Sequence, residues 1–76
     1  AYFSRGRIFY IEGNYEKAIP EFSMAIKLKS NFAEPYYLRG LAEYYSDKKD
    51  AACLDLKQAA DFGYLPATDV LHQICK

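Results

Sequence analysis

At 76 residues, 51% of them apolar, and with Lys plus Arg equal to Asp plus Glu at 10 each, the chain has room for one small domain. It carries no charge excess to draw nucleic acid or an anionic lipid surface, so neither is an expected partner. No apolar run approaches the ~20 residues that cross a bilayer, no signal peptide is visible, and the 17% aromatic share is all Tyr and Phe.

In chain order, residues 2–12 read as a helix carrying Tyr2, Phe3, Phe9 and Tyr10. The chain starts at Ala1, and Tyr2 and Phe3 already look like helix interior, so a processed chain or an excised piece of a longer one is expected. Gly13-Asn14 is a turn, with Asn14 a suitable N-cap for a second helix over 15–29. That helix places Ala18, Ile19, Phe22, Ala25, Ile26 and Leu28 at helical spacing, and Pro20 inside it should remove the bond to the carbonyl of Glu16. The pattern breaks at Ser30-Asn31. Asn31 with Glu34 resembles a capping box, and Pro35 suits a first turn, giving a third helix over 32–46. Asp47 followed by Asp50 signals a fourth, over 48–62, closed by a left-handed Gly63. Leu65-Pro66 opens a last short helix over 66–75, with Val70, Leu71, Ile74 and Cys75 on its apolar side.

The chain repeats. At an offset of 34, Tyr2 meets Tyr36, Arg5 meets Arg39, Gly6 meets Gly40 and Tyr10 meets Tyr44; Ala18, Ala25 and Ala33 meet Ala52, Ala59 and Ala67. Seven identities in 42 aligned pairs exceed the roughly three that chance supplies, and they fall on small and aromatic residues. The glycines explain the spacing. A mid-helix glycine costs roughly 1 kcal/mol against alanine, but paired helices approach closely only where side chains are small. Gly6 and Gly40 each precede an alanine by 12 residues, enough to run up one helix and return opposite the start. Gly6 should therefore meet Ala18, and Gly40 should meet Ala52, with Ala25 and Ala59 continuing the close contact. The expected fold class is all-α, an α-α superhelix of antiparallel hairpins with about five helices.

The period, the aromatic four residues before each glycine, and the triplets Ala18/Phe22/Ala25 and Ala52/Leu56/Ala59 resemble the tetratricopeptide repeat. The resemblance covers nearly the whole chain: a single domain over 1–76, with repeat one at 1–32, repeat two at 33–66 and a capping helix at 67–76. Tyr2 and Tyr36 stand where the family often has Trp. Arg5 and Arg39 replace its leucine before the glycine, and Ser30 and Tyr64 replace its proline after the second helix. The stretch AACLDLKQAADFGYLPA is similar to terminal repeats of bacterial members, in which an amphipathic helix covers the open end of the stack.

The resemblance implies a protein partner: an extended peptide or a helix lying along the inner, concave face, which the first helix of each repeat lines. The residues expected there are Phe3, Arg7, Tyr10 and Ile11 in repeat one and Tyr37, Leu41, Tyr44 and Tyr45 in repeat two, with Leu71 and Cys75 extending the row. Family members that hold chaperone C-termini use a clamp of Lys, Asn and Arg. Here Phe3 and Tyr37 take the matching places and only Arg7 is basic, so no such clamp is expected. Two alternatives stay open: the rings complete a thin core, or the chain is a structural segment of a longer scaffold that self-associates through its open N-terminal face.

Little catalytic chemistry is legible. Cys53, Cys75 and His72 are the candidates for a nucleophile or a metal site, and their spacing matches no zinc motif. Cys53 should point toward the last helix, so the pair is either two buried thiols or a disulfide, which needs Cα atoms within ~7 Å. No glycine-rich phosphate loop, Ser/His/Asp order or metal-binding helix motif is present, so neither an enzyme nor a cofactor is expected. The acids Glu16, Glu21, Asp50 and Asp55 have lysines nearby and are assigned to solvated outer faces. The compartment stays open between the cytoplasm, the simpler expectation, and export.

Overall fold

The computed structural model describes residues 2–29 and 31–75. These form five α-helices: α1 (Tyr2–Ile11), α2 (Tyr15–Leu28), α3 (Ala33–Tyr45), α4 (Lys49–Asp61) and α5 (Leu65–Ile74). Among the described residues there is no strand. Each helix agrees with its expected span to within one residue at either end, and α2 runs through Pro20. The expected break at Ser30, and the ends of the domain at 1 and 76, lie outside the described residues.

The helices pack in chain order, α1 on α2 and α3 on α4 as hairpins, α2 against α3 and α4 against α5, with a lighter α1–α3 contact. The core is small and runs along the inner sides of the second helices. Ala18, Phe22 and Ala25 on α2 and Ala52, Leu56 and Ala59 on α4 are buried at equivalent positions, with Pro35, Ala42 and Ala67 closing the gaps between them.

Helix ends depart from the expected caps. Asn14 sits at the N-cap of α2 but its side chain makes no capping bond, and the N-cap of α3 is Phe32 rather than Asn31. Asp47 is not the N-cap of α4; Lys48 is. Asp47 instead adopts a left-handed conformation, φ 63°, matching Gly13 at 80° and Gly63 at 91°. After each of these residues the next N–H turns back five residues: Asn14 to Phe9 at 2.8 Å, Lys48 to Glu43 at 2.8 Å and Tyr64 to Ala59 at 3.1 Å. One ending serves three helices, and it satisfies carbonyls that a helix end leaves open.

Both mid-helix glycines are buried at helix crossings, but their neighbours differ from expectation at one of them. A Cβ on Gly40 would lie 3.2 Å from the carbonyl oxygen of Ala52 and 3.0 Å from Leu56 Cγ. A Cβ on Gly6 would lie 2.7 Å from a ring carbon of Phe22 and 3.1 Å from Glu21 Cβ, and none of its nearest atoms belongs to Ala18. The Phe22 ring is larger than Leu56 and fills the crossing one turn beyond Ala18. Gly6→Ala should therefore lose more through the displaced, fully buried ring, about 1–3 kcal/mol, than it recovers in helix propensity, about 1 kcal/mol. Urea midpoints should place Gly6→Ala below the parent and Gly40→Ala above Gly6→Ala; the reverse order would contradict this packing.

The arginines that precede the glycines are struts between the two helices of each hairpin. Arg5 Nε donates to Glu21 Oε1 at 2.9 Å. Arg39 makes a two-pronged bond to Asp55, Nε to Oδ2 at 2.8 Å and Nη2 to Oδ1 at 2.7 Å. The two pairs are equivalent under the repeat, and each guanidinium also lies 5.6 Å from the centroid of a tyrosine ring, Tyr2 or Tyr36. The assignment of Asp55 to a solvated face is thus wrong: its residue is 7% exposed, at the α3–α4 contact where Arg39 lies against it. Arg39 further donates from Nη1 to Ser23 Oγ at 3.1 Å, while that hydroxyl donates to the Ile19 carbonyl at 3.0 Å, so the second strut also ties α3 to α2.

Candidate peptide-binding face

The first helices carry the expected row. Phe3, Arg7 and Tyr10 fall at helical spacing on α1, and Tyr37, Leu41 and Tyr44 do the same on α3, with Tyr45 beside them. The rings are not isolated. Tyr10 meets Tyr15 edge-on at 5.4 Å between centroids, Tyr15 stacks on Tyr45 at 5.1 Å, and Tyr45 meets Tyr44 at 5.6 Å. Tyr37 packs against Tyr64 at 5.0 Å. These spacings suit offset and edge-to-face aromatic pairs.

The two groups lie close enough to perturb one another's titration. Burial, then the nearby phenols of Tyr45, Tyr15 and Tyr37, pushes Tyr10 up to about 12. Burial, then Tyr64 and Tyr45, raises Tyr37 as well. Both rings therefore keep their O–H at any physiological pH, and the face offers neutral hydrogen-bond donors on an apolar ground. Tyr44 and Tyr45 remain 38% and 57% exposed, open to a partner.

Other expected members behave differently. Phe3 turns inward, its ring 6.0 Å from Phe22 and 5.1 Å from Phe32, and Arg7 lies over it at 5.9 Å. Ile11, 75% exposed, stands clear of the described ring contacts. Leu71 and Cys75 do not extend the row: they line a cleft with Asp50, Cys53, Leu54 and Lys57 of α4. Tyr15 and Tyr64 were missed because they sit at the starts of α2 and α5, outside the first helices. Their signal was available: each is an aromatic directly after a glycine-containing turn.

Between α3 and α4 lies a polar cluster that sequence reasoning did not find. Glu43 is buried on α3, and its Oε1 has no hydrogen-bond partner among the described residues. Burial first, then the adjacent Asp55 carboxylate, raises its carboxyl to about 8, against the opposing pull of Arg39 and Lys48. A proton on Glu43 makes it a donor to Asp55, which is what an orphaned buried acceptor beside a carboxylate requires.

A family model described as TPR repeat matches residues 6–47, which is 42 of the 76 residues. The chain belongs to the TPR repeat family. No curated protein and no solved structure matches it.

Proposed function

We propose that this chain is a protein-interaction module that holds an extended or helical peptide on a concave face lined by Tyr10, Tyr15, Tyr37, Tyr44, Tyr45 and Tyr64. TPR repeats in general mediate protein–protein contacts and are non-catalytic. The observation that carries the reading is the connected ring path from Tyr10 through Tyr15 and Tyr45 to Tyr44, half-buried at one end and open at the other. Tyrosine gives a large contact area at low entropic cost and keeps a polar tip for the partner's backbone. Only Arg7 adds charge at the edge, so the peptide is bound by apolar and phenolic contacts rather than through a terminal carboxylate. We assign repeat one to residues 1–32, repeat two to 33–66 and the covering helix to 67–76.

The test is selection of peptides from a displayed random library on the immobilised domain, followed by calorimetry. Tyr44→Ala with Tyr45→Ala should weaken a selected peptide about 100-fold, as loss of two aromatic anchors does, with helix content unchanged. Peptides that bind the double variant as tightly as the parent would refute the assignment of the face.

A further inference from the structure

Cys53 and Cys75 are joined, with Cα atoms 5.8 Å apart and a sequence separation of 22. Cys53 lies in the second turn of α4 and Cys75 is the C-cap of α5, so the bond ties the far end of α5 back to the beginning of α4. Neither cysteine is buried. Both line an open cleft of about 480 Å³ whose other walls are Asp50, Leu54, Lys57 and Leu71. A molecule entering this cleft therefore reaches both residues of the disulfide.

The helix that the bond secures has little else to hold its far end. α5 is ten residues long and Ala67 is its one buried residue. A helix of this length is marginal in water. Val70, Leu71 and Ile74 are only partly covered, and the near end is tied where the Tyr64 N–H reaches the Ala59 carbonyl at 3.1 Å and the Tyr64 ring packs on Tyr37.

We propose that the Cys53–Cys75 disulfide is a thiol–disulfide exchange site whose reactant is a dithiol, and that exchange releases α5 from α4. The two sulfurs are not equivalent leaving groups. Cys75 ends α5 among carbonyls that disfavour a thiolate, whereas Cys53 sits in the N-terminal half of α4, where Asp50 three residues before it and Lys57 four after it oppose one another and the helix N-terminus favours Cys53 as the leaving thiolate. A thiolate of the dithiol attacks Cys75 Sγ, the disulfide breaks, and its electron pair leaves on Cys53, which takes a proton from water. The second thiol of the reagent, deprotonated, attacks the reagent sulfur of the mixed disulfide and expels Cys75 as a thiolate, which is protonated in turn. The chain gains two electrons and two protons, and the dithiol becomes its cyclic disulfide. Release of α5 uncovers the seat on α4 and the Tyr37 ring that Tyr64 covers.

The experiment is hydrogen exchange with mass spectrometry on the whole chain, with and without dithiothreitol and without denaturant, alongside thiol alkylation. Both cysteines should become alkylated, and amides in residues 65–74 should exchange about 100-fold faster, the scale expected when a loop of this length is no longer closed. Amides of α2 and α3 should keep their rates. Cys53→Ser with Cys75→Ser should reproduce that pattern without reductant. Three results would overturn the proposal: a disulfide that resists dithiothreitol until denaturant is added, unchanged exchange in α5 after reduction, or equal acceleration in all five helices, which would make the bond a staple of the whole fold.

Discussion

Arg39→Ala should cost about 3 kcal/mol or more, while the equivalent change at the first repeat, Arg5→Ala, should cost under about 1 kcal/mol. The chemistry of the two struts is the same and their surroundings are not. The side chains of Arg5 and Glu21 are 59% and 18% exposed, so water takes over most of what the pair provides. Those of Arg39 and Asp55 are 21% and 11% exposed, and the guanidinium serves Asp55 twice and Ser23 once. Without it, a buried carboxylate is left beside Glu43 with no cation against it. A domain of this size holds on the order of 5 kcal/mol in total, so Arg39→Ala should be substantially unfolded at 37 °C. Arg39→Lys should recover only part of the loss, since one ammonium cannot make the two-pronged bond. Urea titrations followed by far-ultraviolet circular dichroism would measure all three, and equal losses at positions 5 and 39 would defeat the argument.

Glu43→Gln should act in the opposite direction, raising stability by several kcal/mol near pH 8 and by little near pH 4.5. In the unfolded chain this carboxyl titrates near 4.3; in the fold, burial and then Asp55 hold it up to about 8. Between those values the folded state keeps a proton that the unfolded state has lost. Stability therefore falls as pH rises through this window, with a limiting slope of about 1.4 kcal/mol per pH unit. Glutamine has no proton to lose, and its amide can donate to Asp55. The check is a pair of urea series from pH 4.5 to 8.5 on parent and variant. The two stability curves should diverge as pH rises, and parallel curves would show that Glu43 does not titrate between the states.

The architecture was legible because its cause is periodic. Glycine and alanine at an offset of 34 mark where helices cross, and the helical spacing of Phe22, Ala25, Leu56 and Ala59 marks which side is covered. Gly6 was right as a crossing and wrong in its partner, since a phenylalanine ring rather than a backbone fills the space. The buried polar cluster was not read, for a different reason. Asp55 has Lys57 close by in sequence and looks like surface until a neighbouring helix is laid over it. The sign that it was paired, an acid 16 residues after each pre-glycine arginine, belongs to two helices at once. Glu43 has no counterpart, because Phe9 stands at its place in the first repeat. For the candidate face, the rule that first helices supply the lining points to Tyr10, Tyr37, Tyr44 and Tyr45. It could not find Tyr15 or Tyr64, which reach the same rings from the turns. It also placed Leu71 and Cys75 on this face, whereas packing against α4 turns them to the cleft.

The chain has eight tyrosines and no tryptophan, and six of them, Tyr10, Tyr15, Tyr37, Tyr44, Tyr45 and Tyr64, belong to the ring network of this face. Emission excited near 280 nm, a wavelength of roughly maximal tyrosine absorption, therefore arises from phenols alone, and most of those phenols are within energy-transfer distance of one another. The domain is in this sense its own optical probe: an occupant that separates or shields these rings should change the intensity and polarisation of the emitted light without any attached dye.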